Sequence, residues 1–182
     1  MSTTTFLLIR HGNSTAGNTI PGRLPGVHLS AQGSAQAQSL ARHLGTLPIA
    51  ALYASPLERT RETAQPLADA CGIKVIEDPA LIEVDFGAWT GLSFAELEKI
   101  PEWKLFHEFR TGTRIPGGEQ IAEVQMRMIG AIERMNQAHR GQMVAVVSHG
   151  DPLRCLVAFY AGIPLDIALR IEIDTCAYSA LA

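Results

Sequence analysis

The chain has 182 residues, 47% of them hydrophobic, which is enough for one well-formed core and too little for two, so a single domain over 1–182 is expected. A formal net charge of -3 supplies no basic surplus to recruit nucleic acid or an anionic membrane, and any anion site must therefore be local. Three separated cysteines, Cys71, Cys155 and Cys176, suit reduced thiols in a cytoplasmic protein. With no basic leader and no run near ~20 apolar residues, neither a signal peptide nor a membrane span is expected.

In chain order, Phe6-Leu7-Leu8-Ile9 is a short, continuous apolar run of the kind buried on both faces of a parallel sheet. Ser30 then caps a helix to about Leu44, and Ala50-Ala51-Leu52-Tyr53-Ala54 forms a weaker second strand. Ser55-Pro56-Leu57-Glu58 reads as a capping box with proline at the first helical position, opening a helix toward Cys71 that Pro66 should kink. Ile73-Lys74-Val75-Ile76 is a short further strand. Ile121, Val124, Met128, Ile132 and Met135 mark the apolar face of a long helix. Met143-Val144-Ala145-Val146-Val147 is a second fully apolar strand, followed by a helix from about Pro152 to Tyr160 that stops at Gly162.

Strands alternating with helices predict an α/β fold: a single-domain, doubly wound, mostly parallel sheet flanked by helices, with ligands beyond the carboxyl ends of the strands. Residues 87–118 break the alternation and hold both tryptophans, Trp89 and Trp103; they read as a small helical insertion near the active site.

Two buried strands each end in a histidine followed by glycine, at Arg10-His11-Gly12 and Ser148-His149-Gly150, and both ends belong to the same sheet edge. Arg10 adds a guanidinium fork suited to phosphate, and Arg59 opens a helix whose N-terminus favours an anion there. Glu83, flanked by Ile82 and Val84, is a carboxyl whose burial would raise its pKa and fit it for general acid work, with Asp85 a competitor. Two arginines, two histidines and a sheltered carboxyl suit phosphoryl transfer to a histidine without a metal or other cofactor. No H-E-x-x-H, Walker loop or cysteine-phosphatase spacing is present.

In order along the chain, Arg10-His11-Gly12, Leu29-Ser30-x-x-Gly33, Ser55-Pro56-Leu57-x-Arg59, Glu83-x-x-Phe86-Gly87-x-Trp89-x-Gly91, Pro116-Gly117-Gly118-Glu119 and Val147-Ser148-His149-Gly150 resemble the histidine phosphatase superfamily, which includes the phosphoglycerate mutases. The resemblance implies that His11 is the phosphorylated nucleophile, that Arg10, Arg59 and His149 form the phosphate pocket, and that Glu83 protonates the leaving alcohol and later helps activate water. It adds Asn13 or Ser14 as candidate phosphate contacts. The chain departs from the family in its first loop, where Asn13-Ser14-Thr15-Ala16-Gly17-Asn18 lacks the usual acidic residue and tryptophan. It departs again at its end, where Ala182 falls within the expected last strand. Arg23, in the turn-rich loop 21–28, is a candidate for a substrate carboxylate or second phosphate.

The function expected is a histidine acid-type phosphatase acting on a small phosphorylated metabolite. A cofactor-dependent phosphoglycerate mutase is the first alternative, since a mutase must retain its intermediate and exclude water, for which 182 residues leave little covering structure. A phospholigand-binding module without turnover is the second.

Overall fold

A computed structural model describes residues 3–182. Five strands, β1 (Thr5–Arg10), β2 (Ile49–Ala54), β3 (Val75–Glu77), β4 (Met143–Ser148) and β5 (Tyr178–Leu181), form one sheet in the order β3-β2-β4-β1-β5. β1, β4, β2 and β3 run parallel, and β5 closes the edge antiparallel to β1. This is the mostly parallel α/β sheet that the alternating pattern predicts.

Side chains alternate across each central strand, and both faces are buried. Phe6, Leu8, Val144 and Val146 enter one core, with α5 (Ile121–Ala138) and α6 (Gly150–Tyr160) supplying Val124, Met128, Leu153 and Leu156. Leu7, Ile9, Ala145 and Val147 enter the other, against α1 (Ala31–Leu44) and α2 (Glu58–Cys71), which supply Leu40, Leu44, Ala64 and Leu67. That two-sided burial explains why β1 and β4 read as unbroken apolar runs. All five residues of the apolar face expected on α5 are buried.

Three local expectations are corrected. Ser55 does not cap α2: the helix starts at Glu58 with Leu57 as its N-cap, Pro56 lies outside it, and the Ser55 hydroxyl is drawn 2.8 Å from His149 Nε2. Pro66 lies inside α2, where the sequence places it. β3 is displaced to Val75–Glu77, because pairing with β2 beyond Leu52 selects those residues. α6 begins at Gly150, two residues before Pro152, with His149 as its N-cap. By contrast, Ser30 caps α1 as expected, accepting the Gly33 N–H at 3.1 Å.

The insertion contains α3 (Phe94–Leu97) and α4 (Pro101–Glu108). Trp89 is buried, with its ring centroid 5.3 Å from Trp103 and 5.4 Å from Phe106, each pair edge-to-face, so the insertion is packed on aromatic contacts. Among the described residues, no helix is long and apolar enough to cross a membrane.

Candidate active site

Parallel pairing of β1 with β4 sets Arg10 opposite Ser148, so the next residue of each strand is a histidine at the same carboxyl edge. The ladder extends one step further, with the His11 N–H donating to the Ser148 carbonyl at 3.0 Å. Beyond this edge lies a cavity of about 580 Å³, whose lining includes Arg10, His11, Asn13, Ser14, Glu83 and Asp151. Arg59 and His149 are wholly buried alongside His11.

The tautomers of both rings follow from their partners. His11 Nδ1 lies 2.7 Å from the Gly12 carbonyl, an acceptor only, so Nδ1 carries the proton and Nε2 keeps a free lone pair. Burial, then the charges of Arg59 and Arg10, lower the His11 pKa to about 3 and keep the ring neutral. The Ser55 hydroxyl has one acceptor within reach, His149 Nε2, and donating to it leaves the proton of His149 on Nδ1. That Nδ1 is buried, unpartnered and 3.7 Å from Glu83 Oε2. Burial, then the neighbouring His11 and Arg59, hold the His149 pKa well below its ordinary value.

The loop after His11 is held by contact at atomic range. A Cβ on Gly12 would fall 2.8 Å from the Gly33 carbonyl oxygen, and one on Gly33 would fall 1.9 Å from the Asn13 carbonyl oxygen; the loop and the first turn of α1 meet backbone to backbone. The Gly12 N–H donates to Thr63 Oγ1 at 3.0 Å, and the Thr63 hydroxyl donates to the Arg59 carbonyl at 2.6 Å, tying the nucleophile loop to α2.

Arg59 is 0% exposed, yet only its Nη2 is engaged, by the Gly22 carbonyl at 2.9 Å; Nε and Nη1 have no partner. Arg10 anchors Nη1 on the Ile173 carbonyl at 2.7 Å and leaves Nε without one. Burial lowers both guanidinium pKa values without discharging them. Buried guanidinium donors with nothing to bond to are costly, and an anion between them removes that cost.

Glu83 has an environment suited to a neutral acid. Burial, then the negative charge of Asp151, push its carboxyl up to about 7, against the attraction of Arg59. Its Oε1 accepts the Val84 N–H at 2.9 Å. Its carbonyl is gripped by Arg127 Nη2 at 3.2 Å and Arg23 Nε at 2.9 Å, which fixes the backbone from which the carboxyl projects.

The structure thus brings together Arg10, His11, Arg59, Glu83 and His149, with Asn13 and Ser14 on the cavity wall. Asn13 Oδ1 accepts from the Ser30 hydroxyl at 2.6 Å, which orients its amide. Arg23 departs from expectation. It does not line the cavity; its guanidinium is taken up by Glu119 at 2.9 Å and Asp85 at 3.5 Å, two carboxylates that the sequence places far from it. Asp85 is likewise occupied, accepting the Gly87 N–H at 3.0 Å. His28, in the same loop as Arg23, pairs with Glu62.

Several contributors had not been singled out: Thr63, Arg127, and the trio Arg110, Asp151 and Arg154 on the cavity wall. The only sequence signal for the trio is the three-residue spacing of Asp151 and Arg154 directly after the second histidine motif, a helical ion-pair spacing.

Residues 6–182 match the model of the histidine phosphatase superfamily (branch 1), and the chain belongs to that superfamily. It is 34% identical to phosphoserine phosphatase 1 of Hydrogenobacter thermophilus, over 97% of this chain and 85% of that one. It is also 34% identical to a probable phosphoglycerate mutase, GpmB, of Yersinia enterocolitica, over 94% and 81% respectively. The solved structure of Bacillus stearothermophilus YhfR superposes with a TM-score of 0.89 at 26% identity, covering 97% of this chain and 90% of that one.

Proposed function

We propose that the protein is a metal-independent phosphomonoesterase working through a phosphohistidine on His11. The observation that carries this reading is the Nδ1–H of His11 committed to the Gly12 carbonyl, which leaves a neutral Nε2 lone pair beside two buried guanidinium groups with unpartnered donors. Nε2 attacks phosphorus while the bond to the leaving oxygen breaks, and Glu83, protonated near neutrality, gives its proton to that oxygen. Arg10, Arg59 and the Nδ1–H of His149 hold the equatorial oxygens, where charge accumulates in a loose transition state. Asn13 and Ser14 are the further candidates for contact with a phosphoryl oxygen. In the second step water attacks phosphorus, the N–P bond breaks, and the Glu83 carboxylate takes the proton of the water. Phosphate leaves with the enzyme in its starting state.

Small phosphorylated metabolites are the substrates that such a cavity suits, and the phosphoserine phosphatase relative supports that class. A cytoplasmic setting accords with three free thiols. The mutase reading draws on the Yersinia relative and predicts a rearranged phosphoester as product. The test is phosphate release from p-nitrophenyl phosphate and a phosphomonoester panel in excess EDTA, with His11→Ala alongside. Turnover that survives EDTA and disappears in His11→Ala is expected; turnover by His11→Ala near the wild-type rate would overturn the mechanism, and isomer without phosphate would favour the mutase.

A further inference from the structure

The cavity holds a second group of cations that the reaction above does not use. Arg110, just past α4, is 2% exposed; its Nη2 donates to Asp151 Oδ2 at 3.0 Å, its Nε has no partner, and its guanidinium carbon stands 4.5 Å from the centroid of the Phe106 ring. Arg154, on α6, donates Nη1 to Asp151 Oδ1 at 3.1 Å and Nε to the Ile171 carbonyl at 2.9 Å. Both oxygens of Asp151 are therefore engaged, and two guanidinium groups against one carboxylate leave a positive charge on this wall.

The group is continuous with the phosphate site. A Cβ on Gly150 would lie 3.2 Å from Arg154 Nη1 and 3.5 Å from Arg10 Nε, so the missing side chain lets two like charges close over one residue. Like charges in a largely buried setting repel strongly, and an anion reaching both relieves that repulsion. The side chains nearby include Phe94, Trp103 and Phe106, together with His107, whose Nδ1 lies 2.8 Å from the Trp103 carbonyl, so the arginines are the permanent cations of this wall of the cavity.

We propose that Arg110 and Arg154, braced by Asp151, form a recognition site for a second anionic group of the substrate. Preferred substrates are then phosphomonoesters whose alcohol portion carries a carboxylate or a further phosphate. This rests on the phosphomonoesterase reading and adds to it the residues that set specificity. The plainer role for the trio, an ion pair that only fastens the insertion to α6, predicts no dependence on the charge of the alcohol portion.

The test compares kcat/KM within one enzyme for substrates of the same skeleton. 3-Phosphoglycerate is set against glycerol 3-phosphate for the carboxylate, and propanediol bisphosphate against propanediol monophosphate for the phosphate. The wild type is expected to favour the doubly anionic member of at least one pair by on the order of tenfold or more, mainly through KM. The ratio should fall toward one in Arg154→Gln and recover in part in Arg154→Lys. Because each ratio is taken within a single variant, a general loss of active enzyme cancels. Arg110→Lys supplies a second reading that keeps a cation beside Asp151. Turnover of all four compounds with no preference for the second anion, or a preference unmoved by both Arg154→Gln and Arg110→Lys, overturns the proposal while leaving the phosphomonoesterase reading intact. Absence of turnover on these and on p-nitrophenyl phosphate overturns both.

Discussion

The rings of His11 and His149 stand 5.2 Å apart, centroid to centroid, with their planes at 63°, although 137 residues separate them in the chain. Each is tied by one nitrogen, His11 Nδ1 to a backbone carbonyl and His149 Nε2 to a serine hydroxyl. The free nitrogens are therefore of opposite kind, a lone pair on His11 and an N–H on His149, as required for one ring to bond phosphorus while the other bonds a phosphoryl oxygen.

Replacement of His11 by alanine removes the acceptor for the phosphoryl group. Turnover should vanish, and rapid acid-free quenching followed by intact-mass measurement should find a phosphoryl adduct in the wild type and none in the variant. His149→Ala should retain some adduct formation but lose on the order of a hundredfold or more in kcat, as expected for one lost transition-state donor.

Arg59 pits function against stability. Its fully buried guanidinium, bonded through Nη2 alone with Nε and Nη1 unpartnered, burdens the fold, so Arg59→Met should hold or raise the melting temperature without phosphate while kcat falls on the order of a hundredfold or more. Added inorganic phosphate should raise the melting temperature of the wild type and have much less effect on the variant. A variant less stable in phosphate-free buffer would count against Arg59 as a strained cation awaiting an anion.

Glu83 and His11 should shape the pH profile. Activity needs His11 neutral, above its pKa of about 3, and Glu83 protonated, below about 7, so kcat/KM should form a bell between these limits. Glu83→Gln should remove the basic limb and cost far more with an alkyl phosphate than with p-nitrophenyl phosphate, whose leaving group needs little protonation. Equal losses on both would remove Glu83 from the role of acid.

The same shift has a consequence for stability. Between the ordinary carboxyl value of 4.5 and about 7 the folded state holds a proton on Glu83 that the unfolded state releases, so raising the pH through that window destabilises the fold. Glu83→Gln escapes this penalty. Its free energy of unfolding relative to wild type should climb from pH 4.5 to pH 7 and level off above, by an amount on the order of a few kcal/mol at most. His11 works in the opposite direction, since its folded pKa is lowered from 6.5 to about 3 and protonation of the unfolded chain destabilises the fold as pH falls through that range. The comparison must therefore be between variant and wild type at each pH.

Gly33 offers a structural test of the nucleophile loop. Its missing Cβ would meet the Asn13 carbonyl oxygen at 1.9 Å, with backbone on both sides. Gly33→Ala should force the Gly12–Asn13 segment away from α1, costing ~1–3 kcal/mol in denaturant unfolding and lowering kcat more than it raises KM. Substitution at Gly26, which has open space around it but a positive φ of 76°, should cost stability with little change in kcat.

Much of this architecture was legible in the residues themselves. Two unbroken apolar runs, each followed by a polar residue, a histidine and a glycine, announced central parallel strands and the edge where chemistry would sit, because a strand buried on both faces takes up polar residues where it reaches the end of the sheet. The cap at Ser30 and the apolar face of α5 were equally plain, being local patterns with local causes. What stayed hidden depended on partners distant in sequence. Ser55 had the look of a helix cap until His149 competed for its hydroxyl, and Arg23 that of a substrate contact until Glu119 and Asp85 neutralised it. Arg110 carried no signal of its own, since an arginine in an insertion reads as a solvated charge; only the packing of that insertion against α6 buried it on Asp151. Periodicity and short motifs determined which side chains reach the carboxyl edge of the sheet. The pairing of charges across that edge, and so which cations remain free to meet an anion, was decided by the tertiary structure, because Coulomb interactions depend on distance in space and burial, neither of which is set by neighbours along the chain.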